Sequence, residues 1–288
     1  MKTTLDIKGC NASTPSEALD QVGLNWIAEP VNMITENGIG IPNHKAIYRS
    51  DTKDILGVVG TNYQIIQNNI AFATFDTLCK DYNMNFNNSY LINHGATVIV
   101  EGTLNGKITI RKGDEVLRKI RISNSFDGTS GFSVDFYSYR LICSNGLMGV
   151  ARDRKASIRH TLNAEARIMQ AMTILARSTQ YFESFEHNCQ ILAQKMMDTK
   201  MVNAFLDGMF SEKETTRTDN IKEAVESRFK YGQGNGQGTA WDLYNGVTEY
   251  VDHFKGKDTH KRIISSQFGT GTKIKEKAFS MLLSTAAK

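Results

Sequence analysis

The stretch TVIVEGTLNGKITIRKGDEVLRKIRISNSFDGTSGFSVDFYS, residues 97–138, decides the fold. Thr97-Val98-Ile99-Val100 is rich in β-branched side chains, which suit a pleated surface. Asn105-Gly106 separates that run from Lys107–Arg111, and Asn-Gly between two strand-like runs predicts a tight hairpin, because both residues tolerate positive φ. Arg118, Ile120 and Ile122 then alternate with their neighbours between basic and apolar. Asp127-Gly128 supplies a second turn, and Phe132, Val134 and Phe136 again recur with period two. The expected result is a meander of about four antiparallel strands.

Working outward, residues 46–143 read mainly as strands. Ile55, Leu56, Val58 and Val59 form a short apolar run ended by Gly60. One helix is inserted, capped by Asn68 or Asn69, with Phe72, Phe75, Leu78 and Cys79 at spacings of three and four. Upstream, 1–45 is weakly patterned: Asn11 to Pro15 reads as a loop, Ser16 to Val22 as a short helix, and Glu29-Pro30 and Ile41-Pro42 as turns or extended chain. Downstream, helical stripes take over. Ile168, Met169, Met172, Leu175 and Ala176 form one. Phe182, Phe185, Cys189, Leu192 and Met196 form a second, and Ile221, Val225 and Phe229 a third. Thr239 with Asp242 resembles a capping box, opening a helix through Trp241, Tyr244, Val247 and Val251. Ile274, Ala278, Met281 and Leu282 mark the last helix. Strands followed by helices argue for an α+β fold. The expected organisation is an N-terminal extension (1–45), an α+β core with a basic hairpin (46–200) and a helical C-terminal region (201–288). A glycine-rich spacer, Gly232 to Gly238, lies in the last.

Composition excludes several classes. The chain has 288 residues, enough for a sizeable core, and too few prolines, 3 in all, for a Pro-rich linker protein. No run reaches the roughly eighteen apolar residues of a membrane helix, and the start, MKTTLDIKGC, is too polar for a signal peptide. The expectation is a soluble, cytoplasmic protein with no membrane partner. Cys10, Cys79, Cys143 and Cys189 stand far apart with no Cys-x-x-Cys, so they read as small buried hydrophobes.

The search for catalytic chemistry is nearly empty. Gly269-Thr-Gly271-Thr-Lys273 is too short for a phosphate-cradling loop, and the alternating glycines of 232–238 follow a helix rather than a strand. No histidine pair has metal-ligand spacing, and no Gly-x-Ser-x-Gly elbow is present. The sequence therefore implies no cofactor, no metal and no enzyme. Its basic residues say more, although the net charge is only +4. Lys107, Arg111, Lys112, Arg118, Lys119 and Arg121 crowd onto the expected hairpin and the strand after it. Arg152, Arg154, Lys155 and Arg159 bridge the last strand and the first long helix. A third group runs through Lys255, Lys257, Lys261, Arg262, Lys273, Lys275 and Lys277. Cations beside aromatics such as Tyr137 and Tyr139 suit single-stranded nucleic acid, with phosphates held and bases stacked. The plainer alternative is solvated faces balanced by acids, with the tyrosines packing the sheet.

Four stretches resemble a family. Gly57-Val-Val-Gly60-Thr-Asn-Tyr63-Gln-Ile-Ile-Gln67-Asn68, Leu141-Ile-Cys143-Ser-Asn145-Gly146-Leu, Arg159-His160-Thr161, and the run from Trp241 through Tyr244, Asn245, Glu249 and Asp252 to His253 resemble motifs of the phage/plasmid-like protein family, long catalogued as a domain of unknown function. The family occurs on phages, plasmids and prophages. The resemblance implies work in mobile-element DNA metabolism or in contests with host defence. More loosely, a helix, a meander with a basic hairpin and a long helix are similar in architecture to Rad52-like single-strand annealing proteins. That likeness implies a ring or filament of identical subunits holding single-stranded DNA, with Arg111, Lys112, Arg118, Arg152, Arg154, Lys155 and Arg159 lining the groove. The leading expectation is a single-stranded DNA-binding and annealing protein. The alternative is a phage-encoded protein that inhibits or triggers a host defence protein. Asn145 and Gly146 read as a positive-φ turn at a strand end, and Trp241, Tyr244 and Tyr250 as core of the terminal helix. Asn245, Glu249, Asp252 and His253 either fasten that helix to the sheet or form a polar site.

Overall fold

The computed structural model describes residues 3–73, 80, 83–149, 155–164, 167–168, 177–210 and 215–287. Ten strands are described: β1 (Leu5–Ala12), β2 (Ala28–Ile34), β3 (Gly40–Arg49), β4 (Ile55–Gly60), β5 (Asn85–Ile92), β6 (Thr97–Arg111), β7 (Asp114–Ser125), β8 (Phe132–Arg140), β9 (Asn145–Leu147) and β10 (Lys155–Ile158). The fold is α+β, as the alternating and helical patterns predict. The chain forms two compact units that interleave along the sequence. Unit 1 holds Met1–Asn105, Lys119–Phe136 and Lys155–Ser178; unit 2 holds Gly106–Arg118, Tyr137–Arg154 and Thr179–Lys288. Strands β6, β7 and β8 contribute to both. The sequence suggests successive segments instead, because interleaving is made by cross-strand pairing, which leaves no mark on local composition.

In unit 1 the strand order runs β1-β5-β6-β7-β8-β10. Leu5 pairs with Ile92 and Lys155 with Asp135, both antiparallel. Residues 1–45 are thus no extension: β1 joins this sheet, and helix α1 (Pro15–Val22) follows it, with Pro15 in its first turn and the Thr14 hydroxyl accepting from Glu17 N at 3.3 Å. A second sheet, β2-β3-β4, is also antiparallel, with Val31 opposite Ala46 and Ala46 opposite Val58. Ile47, Ile66 and Phe86 are fully buried in unit 1, and the Trp26 and Phe126 rings meet at 5.1 Å. Residues 68–73 are helical, with Asn68 already inside the helix and its amide donating to Leu24 O rather than capping, while Phe75, Leu78 and Cys79 lie outside the described residues.

Two turns differ from the sequence expectation. The hairpin between β6 and β7 turns at Lys112-Gly113, where Gly113 takes φ 81°, and not at Asn105-Gly106. Gly106 keeps a positive φ of 86° inside β6, at the point where that strand passes from one unit to the other. Turning later keeps Ile108 and Ile110 in the ladder, and both are buried. Likewise Asn145 and Gly146 belong to β9, paired with Arg140 and Tyr139, and it is Ser144 that takes positive φ, 54°.

Unit 2 carries the outer halves of β6 to β8, β9 and most of the helices. These are α2 (Ser178–Gln194), α3 (Thr199–Phe210), α4 (Thr216–Tyr231), α5 (Ala240–Glu249), a π turn (Tyr250–Phe254), α6 (Thr259–Phe268) and α7 (Thr270–Ala286). The first helical stripe falls mostly outside the described residues. Met196 lies past the end of α2 and is exposed. Helix α5 starts on the capping box its sequence announces: Thr239 and Asp242 each satisfy the other's backbone N–H. Every residue from Ala240 to Thr248 is buried, so this is the central helix of the unit. Its rings organise the core. Trp241 meets Tyr244 at 5.9 Å, Tyr244 meets Phe279 at 5.1 Å, and Phe279 meets Phe185 at 5.5 Å.

Candidate nucleic-acid interface

The ten cations singled out from the sequence meet three fates. Two are internal. Arg121 is 3% exposed and donates through Nε and Nη2 to Glu101 Oε1, at 3.0 and 2.7 Å, while Tyr90 donates to the other oxygen of the same carboxylate. Lys119 is 8% exposed and donates to Asn87 Oδ1 at 2.9 Å; burial pushes its ammonium below the usual lysine range, against the pull of Glu101. Neither can meet a phosphate without leaving these partners, which corrects the expectation for both. The physical reason is that this part of β7 is covered on both faces, since Ile120 and Ile122 are buried as well. The one sign in the sequence is Glu101, an acid in the otherwise apolar run of β6. A carboxylate there needs an internal cation.

Arg111 belongs to a network in unit 2. It donates to Gly234 O and Asp242 Oδ1, both at 2.6 Å, and to Gln237 Oε1 at 2.9 Å, and stands 3.4 Å from Asp114. Arg140, which is not one of those ten, is fully buried beside it. It donates to both oxygens of Asp114, at 2.7 and 2.6 Å, and to Gly234 O at 2.9 Å. Trp241 Nε1 donates to the same Asp114 at 2.9 Å. The glycine-rich segment is therefore no linker. It is a loop folded so that its carbonyls face two guanidinium groups, and positive φ at Gly234, Gly236 and Gly238 makes that path possible. Two arginines meet two aspartates, so the network carries no net charge to offer a ligand. Arg118 lies over the Phe182 ring at 5.8 Å.

The rest reach solvent or lie outside the described residues. Lys107 is exposed and paired with exposed Glu115 at 2.7 Å. Lys112 at the hairpin tip, Lys155 in β10 and Arg159 just beyond it are exposed, with no acid partner among the described residues. Arg152 and Arg154 fall outside those residues. Tyr137 is buried, so it packs the sheet rather than stacking on a base. In the third group Lys275 is fully buried, and Lys277 donates to Gly208 O and Met209 O at 3.1 Å.

The four motif stretches pair up, two in each unit. In unit 1, Tyr63 stacks on His160 at 4.7 Å, Gln64 N donates to His160 O, and the Tyr63 hydroxyl donates to Ser125 O. In unit 2, Gly146 N donates to Asp252 Oδ2 at 2.9 Å and Lys275 Nζ donates to Asp252 Oδ1 at 2.5 Å and to Gly146 O at 2.8 Å. Asn145 donates to Thr248 and meets His253 Nε2 at 3.1 Å. Tyr244 accepts from Met148 N and donates to Met148 O. So Asp252 and His253 fasten the α5 region to β9, whereas Asn245 donates to Trp241 O within its own helix and Glu249 pairs with Arg228 of α4.

A family model described as Domain of unknown function (DUF932) matches residues 55–275. The chain belongs to this family. No curated protein and no solved structure matches it. The DUF932 match begins at the first residue of β4 and ends at Lys275, the buried lysine on Asp252, so both motif pairs lie inside it. Among the described residues of this DUF932 chain, no group of three or more His, Cys, Asp or Glu could hold a metal, and no helix is long and apolar enough to cross a membrane. Cys143 and Cys189 are buried. Burial pushes the Cys143 thiol up, against the opposing charge of Arg140, so its thiolate is scarce.

Proposed function

We propose that the chain binds single-stranded DNA and promotes its annealing as a homo-oligomer, in recombination or replication of a phage or other mobile element, without enzymatic chemistry of its own. The observation that carries this reading is the sorting of the cations. Arg111, Lys119, Arg121 and Arg140 are held by internal partners, whereas Lys112, Lys155 and Arg159 stand exposed and unpaired among the described residues. Exposed, unpaired cations are the ones free to replace counterions on phosphates. Annealing needs phosphates held and base edges left open, and no catalytic group. A few cations per subunit hold weakly, and a ring or filament multiplies them through effective concentration.

The test is oligonucleotide binding and strand annealing over a salt series, on the wild type and on Lys112→Glu/Lys155→Glu/Arg159→Glu. Losing three phosphate contacts lowers the log–log salt slope by about 2, at about 0.7 per contact for single strands. Reversing Arg111 is no test, because it breaks the pair with Asp242 and disturbs unit 2 itself. A monomeric wild type that ignores oligonucleotides at low salt defeats the reading.

One observation favours docking of a host defence protein instead. Ile27, Val31, Ile34, Ile39, Ile55 and Val58, in and beside the β2-β3-β4 sheet, are all exposed, and large exposed apolar patches mark interaction sites. Capture of a host protein by the wild type and not by Val31→Glu/Val58→Glu, with no oligonucleotide binding, supports that second reading.

A further inference from the structure

Unit 2 presents a surface of rings and cations that the motif residues do not explain. Helix α4 places Arg217, Arg228 and Tyr231 at spacings of eleven and three, which falls on one helical stripe. The π turn after α5 supplies Phe254, and the Arg228 guanidinium lies over its ring at 4.0 Å from the centroid. Phe254 is 49% exposed and Tyr231 is 84% exposed. Glu249 is the acid on Arg228, with 3.7 Å between Nε and Oε1. Arg217 lies close enough to Lys255 to push its ammonium down, reinforcing the larger effect of burial. Lys257 follows, exposed, in a loop held by Arg262 Nη1 donating to Gly256 O at 3.0 Å. A π turn is an uncommon and costly shape that recurs at functional sites.

We infer that this surface is a base-stacking site for single-stranded nucleic acid, with Phe254 and Tyr231 as ring platforms and Arg217, Lys255 and Lys257 as phosphate anchors. It rests on the proposal that the chain binds single strands. Isolated exposed rings are ordinary on protein surfaces, but exposed Phe254 and Tyr231 with Arg217, Arg228, Lys255 and Lys257, against the acids Glu249 and Asp258, have the composition of a single-strand groove. Arg228 is a positioning residue: stacked on one face of Phe254, it orients the ring and leaves the other face for a base.

The experiment uses the full chain and two probes, an oligothymidylate of about twenty nucleotides and inorganic polyphosphate of similar charge. The variant Phe254→Trp places an exposed indole in a protein whose own Trp26 and Trp241 are 6% and 0% exposed. Stacking quenches that indole with oligothymidylate and not with polyphosphate. Tyr231→Ala, which removes a ring almost wholly in water, weakens oligonucleotide binding by about five- to a hundredfold and leaves the salt slope unchanged, because bases and not phosphates are lost. Arg217→Glu/Lys255→Glu lowers the slope. A wild type that binds the oligonucleotide, with Tyr231→Ala binding equally well and Phe254→Trp unquenched, overturns this inference and leaves the proposed function standing. A wild type that binds neither probe at low salt overturns both.

Discussion

Asp114→Ala is the sharpest perturbation of unit 2. The carboxylate accepts from Arg140 Nε and Nη2, from Trp241 Nε1 and, at longer range, from Arg111. The Arg140 side chain is 0% exposed, so its charge has no water to fall back on. After the substitution its remaining partners are the carbonyls of Gln233 and Gly234, Asn235 Oδ1 and Cys143 Sγ, all neutral acceptors. Removing one partner of a buried pair costs about 3–5 kcal/mol, mostly the burden of the stranded charge. The unsatisfied indole N–H overlaps that figure and is not added. For a cooperative unit of this size the loss lowers Tm by about 6–20 °C. The two tryptophans lie one in each unit, so urea unfolding followed by fluorescence in a Trp26→Phe background reports unit 2 through Trp241. Lys107→Ala is the control: its pair with Glu115 is 52% and 42% exposed, and such pairs are worth about 0.2–1 kcal/mol. A loss below about 1 kcal/mol for Asp114→Ala would refute the view that this network holds unit 2 together.

Three further outcomes are expected. Thr239→Ala removes the cap of α5 and costs about 1 kcal/mol, read as a lower urea midpoint of the Trp241 signal. Gly57→Ala puts a methyl 2.5 Å from the Asp127 Cα and costs about 1–3 kcal/mol, whereas Gly40→Ala, with nothing within 4 Å, stays within about 0.5 kcal/mol; paired thermal melts separate them. Burial holds the His160 imidazole below its ordinary 6.5, so the unfolded chain takes up the proton first as pH falls. The stability this site contributes is whole above that ordinary value and declines as pH drops below it towards the folded pKa. His160→Gln therefore flattens the fall in stability between neutral pH and about pH 5, and an unchanged slope would remove His160 as its source.

How much of the molecule its sequence determines follows from the range of the interactions involved. Period-two alternation in 97–138 and period-3.6 stripes after 178 are local, and they announce an α+β chain. The Thr239–Asp242 capping box closes over three residues, so it too is readable. Turn position is less local: Asn105-Gly106 and Lys112-Gly113 both offer a glycine with positive φ, and the choice falls to the pairing that keeps Ile108 and Ile110 buried. The fate of each cation is not local at all. Lys112 and Arg121 are equally basic in the sequence, yet one stands at an exposed turn and the other is closed in against Glu101. Arg140 draws its partners from β7 and from a loop more than ninety residues away. Desolvation and ion pairing depend on which side chains the fold brings within a few ångströms. Only the tertiary structure could therefore separate the charges that hold this protein together from those it leaves to solvent.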